Sequence, residues 1–141
     1  MHLTAYNLRL LILLPLMLRV SFTDLKEHRI ANSASMVLLL CGLLLPFLEV
    51  WDITLQEAVV ALSLTFIVSF IAFMAGMGAG DAKLLTGLAA MLGSGIIPVA
   101  LLAYVLAGVA ALGMLMCKRI TLQSRLPFAP ALAIAVCCFC L

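Results

Sequence analysis

Charged side chains are scarce in this chain: Asp, Glu, Lys and Arg make up 10% of its 141 residues, against about 25% in an ordinary soluble domain. Hydrophobic residues fill 67%, where roughly 45 to 50% is usual. That excludes a soluble globular protein. So little polar sequence leaves no place for a soluble catalytic domain, a nucleic-acid module or a nucleotide-binding loop. No nucleic-acid partner is expected, and any chemistry must sit at a lipid bilayer. The five cysteines, Cys41, Cys117, Cys137, Cys138 and Cys140, lie within or beside apolar runs, which argues against a zinc ligand set and a secreted disulfide framework. They read as small membrane-embedded residues. His28 stands alone in the first loop, so no metal and no cofactor is expected. Internal repeats, low-complexity tracts and linkers are missing too, which predicts one integral membrane domain over residues 1–141.

What is present is a series of apolar runs. Separated by charge, Gly and Pro, they predict spans at roughly 4–22, 33–48, 54–75, 82–93, 96–116 and 126–141. The first has no small-x-small cleavage site, since residues 19 to 22 read Arg-Val-Ser-Phe, and is read as a retained span. The expected fold is all-α, a polytopic membrane bundle of about six helices. Ala82 to Gly93 is short for a span, but Gly93-Ser94-Gly95 and Pro98 mark a turn. Two spans here also keep Lys26, Arg29, Lys83, Lys118, Arg119 and Arg125 on one face, opposite Glu49, Asp52 and Glu57. By the positive-inside bias that basic face is cytoplasmic and the amino terminus is outside.

Outside the acidic loop three carboxylates remain, Asp24, Glu27 and Asp81, all at cytoplasmic helix ends. A carboxylate near membrane depth is a functional hypothesis by default. Asp81 lies in Gly76-Met77-Gly78-Ala79-Gly80-Asp81-Ala82-Lys83. The alternate glycines leave room for close backbone approach, and Asp81 falls at the N-cap or first turn of span 4, where the helix dipole favours negative charge. Asn32 is a sensible N-cap for span 2. Asp24 has no evident structural task. Two carboxylates brought together are the minimum for aspartyl hydrolysis, one ionised to activate water and one protonated to polarise the scissile carbonyl. Such a pair titrates as a unit. The dipole at Asp81 suggests that Asp24 more often holds the shared proton.

The segment Gly76 to Leu85, with Gly78-Ala79-Gly80-Asp81 at its centre, resembles the GxGD motif of the type IV prepilin peptidases, membrane aspartyl proteases that process pilin precursors. Asp24 to Asn32 resembles that family's other aspartate block, and Pro127-Phe128-Ala129-Pro130 resembles its Pro-Phe-Gly-Pro lead into the last span. Ala31 and Ala129 depart from the usual Pro and Gly. Only some twenty residues precede Asp24, so the resemblance is to the short, peptidase-only form of tight-adherence (Flp) pilus systems. It carries over neither a zinc region nor methyltransferase activity.

The resemblance implies Asp24 and Asp81 as the catalytic pair, and cleavage of a leader from a prepilin or pseudopilin helix at the cytoplasmic face of a bacterial inner membrane. Gly78, Gly80 and Lys83 would form the supporting loop, and the glycines at 76, 78 and 80 would admit an extended substrate backbone. Glu27, one turn from Asp24, and Asn32 are candidates to assist it. The rival reading is a small proton-coupled transporter or channel subunit using the same two aspartates. Its expected mark is carboxylates near the midplane on broken helices. A structural subunit without catalysis leaves two aspartates on one side unexplained.

Overall fold

The computed structural model describes residues 2–27, 32–48, 53–117 and 128–140. His28, Arg29, Ala31, Glu49, Asp52, Lys118, Arg119, Arg125 and Pro127, which carry part of the charge and motif argument above, lie outside these residues. Six α-helices follow in order: α1 (His2–Glu27), α2 (Asn32–Leu44), α3 (Leu55–Met74), α4 (Ala79–Leu92), α5 (Ile96–Met116) and α6 (Ala129–Cys140). Short 3-10 turns occupy Leu45–Leu48 and Gly93–Gly95. Among the described residues there is no strand, and the fold is an all-α bundle of the membrane type.

Its surface shows why. Large apolar side chains such as Phe66 and Ile71 on α3, or Leu101 and Val109 on α5, point outward, the inverse of a soluble protein. The segments Leu55–Met74 and Ala79–Met116 are both long and apolar enough to cross a bilayer. α3 opens with a capping box: Thr54 Oγ1 accepts from the Glu57 N–H at 3.2 Å while Glu57 Oε2 accepts from the Thr54 N–H at 3.0 Å. Glu57, expected only as an acidic loop residue, therefore fastens a helix start.

The second long segment is not one helix. Gly93 has φ +56° and interrupts the run. Tyr104 on α5 donates to Met77 Sδ at 3.6 Å across 27 residues. In a continuous helix those residues would lie about 40 Å apart, so the chain reverses at Gly93–Gly95, as the turn residues there predict. α4 is then about 21 Å long, short of the roughly 30 Å hydrocarbon core. It tolerates this because every residue from Leu84 to Leu92 is buried, so it is shielded by protein rather than matched to lipid.

α2 and α3 supply that shield, while α1 and α5 pack chiefly on α6. The α2–α4 crossing is close because it is made through small residues. A Cβ on Gly42 would meet the Ala90 carbonyl carbon at 2.5 Å, and one on Gly87 would meet the Ser35 carbonyl oxygen at 2.8 Å. Without a hydrophobic drive between helices in lipid, such van der Waals fit is what holds them. The same applies at Gly95, where a Cβ would strike the ring of Phe139 at 2.5 Å. This contact brings the end of α6 to the α4–α5 turn.

Candidate active site

At the opposite end from that turn, three helix termini converge. α1 does not stop at residue 22 but runs to Glu27, because Thr23 satisfies its hydroxyl on the Arg19 carbonyl four residues back and no Gly or Pro lies between Leu16 and Glu27. At 26 residues it is about 39 Å long, enough to carry Asp24 beyond a roughly 30 Å core. Asp24 is nonetheless only 6% exposed. Its Oδ2 accepts a hydrogen bond from the backbone N–H of Ala129 at 3.1 Å. Ala129 is the first residue of α6, so a carboxylate from α1 caps a helix 105 residues away.

Asp81 sits in the first turn of α4, three residues after its N-cap, Gly78. It is half-buried and heads a stripe continued by Leu84, Leu85 and Leu88, all buried. The Asp24 charge acts electrostatically on Asp81. The two carboxylates, 57 positions apart in sequence, are thus brought close enough for their charges to interact. Each stands at a helix N-terminus, which removes the asymmetry by which Asp24 was expected to hold the shared proton.

The glycines divide their tasks. Gly76 has φ +110°, with open space where a Cβ would be. Gly78 has ordinary φ, but a Cβ on it would stand 3.1 Å from Asp81 Oδ2. The room it leaves is taken by the carboxylate itself rather than held open for a substrate backbone. Gly80 lies in the helix, half-buried. Lys83 is exposed and donates from Nζ to Asn32 Oδ1 at 3.3 Å, tying the second motif block to the first. Glu27 is exposed on the last turn of α1 while Asp24 is buried. Among the described residues no group of three His, Cys, Asp or Glu side chains is placed to hold a metal ion.

A sequence profile of the type IV leader peptidase family matches residues 11–113. The chain belongs to that family. No curated protein and no solved structure matches it. The match covers both aspartates and stops short of the Phe128–Ala129 segment that caps on Asp24. As a type IV leader peptidase family member the protein is a membrane-embedded protease.

One residue beside the carboxylates escaped the motif reading. Tyr104 feels the charge of Asp81, bonds to Met77 in the glycine loop, and packs its ring on Phe128 with centroids 5.1 Å apart. It bridges the loop that presents Asp81 to the segment that receives Asp24. The signal was available: Tyr104 is the one side chain with a polar tip in the apolar run Ile96–Met116, and such a tip in a membrane helix usually has a partner.

Proposed function

We propose that the protein is an aspartyl endopeptidase of the bacterial cytoplasmic membrane, with several spans, that removes the leader of Flp-type prepilins or pseudopilins at the cytoplasmic face. What supports this reading is the charge interaction between Asp24, buried on the Ala129 N–H, and Asp81 at the start of α4. Two carboxylates in electrostatic contact share a proton over a range of pH. The ionised one accepts a proton from the attacking water as it adds to the scissile carbonyl, and the protonated one donates to the developing oxyanion. Collapse of the tetrahedral intermediate returns a proton to the leaving amine. No cofactor enters these steps.

The substrate is an apolar helix bearing a short leader. Its helix docks among the apolar outer faces of the bundle, and its leader junction then lies at the depth of the helix ends that carry the aspartates. Position separates this from the proton-transport reading, since both carboxylates belong to helix termini and neither to a broken helix at mid-depth. The test is cleavage of a purified leader-bearing pilin by the protein in liposomes, with Asp24→Asn and Asp81→Asn beside it. Loss of cleavage in both supports the reading. Proton flux across the liposome without cleavage would overturn it.

A further inference from the structure

An open groove of about 670 Å3 runs between α2, α3 and α4. Each of the three helices lines it with an i, i+3, i+4, i+7 stripe, so it follows about two helical turns. On α4 that stripe is centred about 150° round the helix from Asp81, which leaves α4 standing between the groove and the carboxylates. It is a separate site.

Its chemistry is graded from mouth to floor. At the mouth Lys83 is the one charged residue of the lining, and its bond to Asn32 uses one of three ammonium protons. α2 and α4 both begin there, so the positive ends of two helix dipoles face the same opening. One turn further in lie Ser35 and Ser69, each at least nine-tenths buried. The Ser35 hydroxyl has no hydrogen-bond partner, a state in which buried polar groups are seldom left. The floor is apolar, with Leu39 and Phe66.

We propose that this groove binds one anionic phospholipid of the surrounding membrane. Its phosphate sits on Lys83, an ester carbonyl accepts from the Ser35 hydroxyl, and an acyl chain runs along Phe66 and Leu39. The spacing agrees. Ser35 lies three residues, about 4.5 Å, inside Asn32, and the interfacial layer on each side of a bilayer is about 5 to 7 Å deep. A phospholipid therefore changes from anion to ester to hydrocarbon over the distance in which the groove changes from cation to hydroxyl to aromatic. This inference does not depend on the peptidase reading.

The test is native mass spectrometry of the detergent-purified protein given phosphatidylglycerol or phosphatidylcholine with identical acyl chains, with glycerol phosphate as a head-group control. One phosphatidylglycerol should be retained with about a fivefold preference, the worth of one cation at a membrane surface. Lys83→Ala should erase the preference and Lys83→Arg should keep it. Ser69→Phe, which fills the groove from α3, should expel both lipids. Equal retention of the two lipids by the wild type would overturn the proposal. So would an unchanged preference in Lys83→Ala, undiminished binding in Ser69→Phe, or competition by glycerol phosphate as strong as by the whole lipid.

Discussion

Asp24 does two things with one carboxylate, closing α6 through the Ala129 N–H and acting on Asp81 through its charge, and substitutions can separate the two. Asn retains a side-chain oxygen for the N–H but cannot exchange a proton. Asp24→Asn should keep the wild-type melting temperature and lose nearly all cleavage, whereas Asp24→Ala should also lose about 0.5 to 2 kcal/mol of stability with its cap. Asp81→Asn should be as inactive, and the double Asn variant little worse than either, because residues acting as a unit are non-additive. Substantial turnover by either Asn variant would sink the pair. Activity against pH should be bell-shaped, falling at low pH as both carboxyls protonate and at high pH as both ionise, with limbs that belong to the pair. The glycines offer a second contrast, read by kcat and melting temperature together. Gly78→Ala puts a Cβ 3.1 Å from Asp81 Oδ2 and should lower kcat with little change in stability. Gly76→Ala meets open space at φ +110°, so it should cost about 1 to 3 kcal/mol in strain with less effect on kcat per folded molecule.

Helix crossings obey the same geometry one scale up. A methyl on Gly42 has the Ala90 backbone only 2.5 Å away, and overpacking of that kind costs about 1 to 3 kcal/mol. One on Gly108 meets nothing within 4 Å and should be neutral or gain up to about 1 kcal/mol from the reduced freedom of the unfolded chain. Melting of Gly42→Ala and Gly108→Ala in detergent checks this, and equal effects would mean that α2 and α4 are not in such close contact. None of this was legible in the sequence, since a glycine in an apolar run does not announce which helix it faces. Boundaries were legible where breakers stood: α5 occupies 96–116 as expected because Gly-Ser-Gly precedes it. They were missed where polarity stood in for a breaker. The expected bounds 4–22 and 82–93 fall short, since α1 continues to Glu27 and α4 opens at Ala79 behind a glycine N-cap. Asp81 stands in the first turn of α4 as expected and Asp24 stands within the last turn of α1, and that gives the candidate site its rigidity. The motif glycines, Asp24 and Asp81 could be named from spacing, but their partners, Ala129 and Tyr104, come from the far end of the chain and needed the fold.

For the whole molecule the consequence is polarity along the membrane normal. The end of α1, the start of α4 and the start of α6 meet at one end through Asp24, Asp81 and Ala129, while Gly95 and Phe139 bring the α4–α5 turn and the end of α6 together at the other. The basic residues that oriented the chain by the positive-inside bias fall mostly outside the described segments, but Lys26 and Lys83 both lie at the aspartate end, which that bias assigns to the cytoplasm. Single cysteines in an otherwise cysteine-free protein turn this into a measurement. Glu27→Cys, Ala75→Cys and Ser94→Cys all occupy exposed positions. A membrane-impermeant maleimide added to intact cells should reach Ser94→Cys alone, and opening the membrane should expose the other two. Glu27 and Ala75 must behave alike because their helix ends share the aspartate cluster, and Ser94 must oppose them because α4 lies between. If Ser94→Cys labelled from the same side as Ala75→Cys, α4 would not cross, the reversal at Gly93 would be a re-entrant loop, and the bundle would have two fewer crossings than helices.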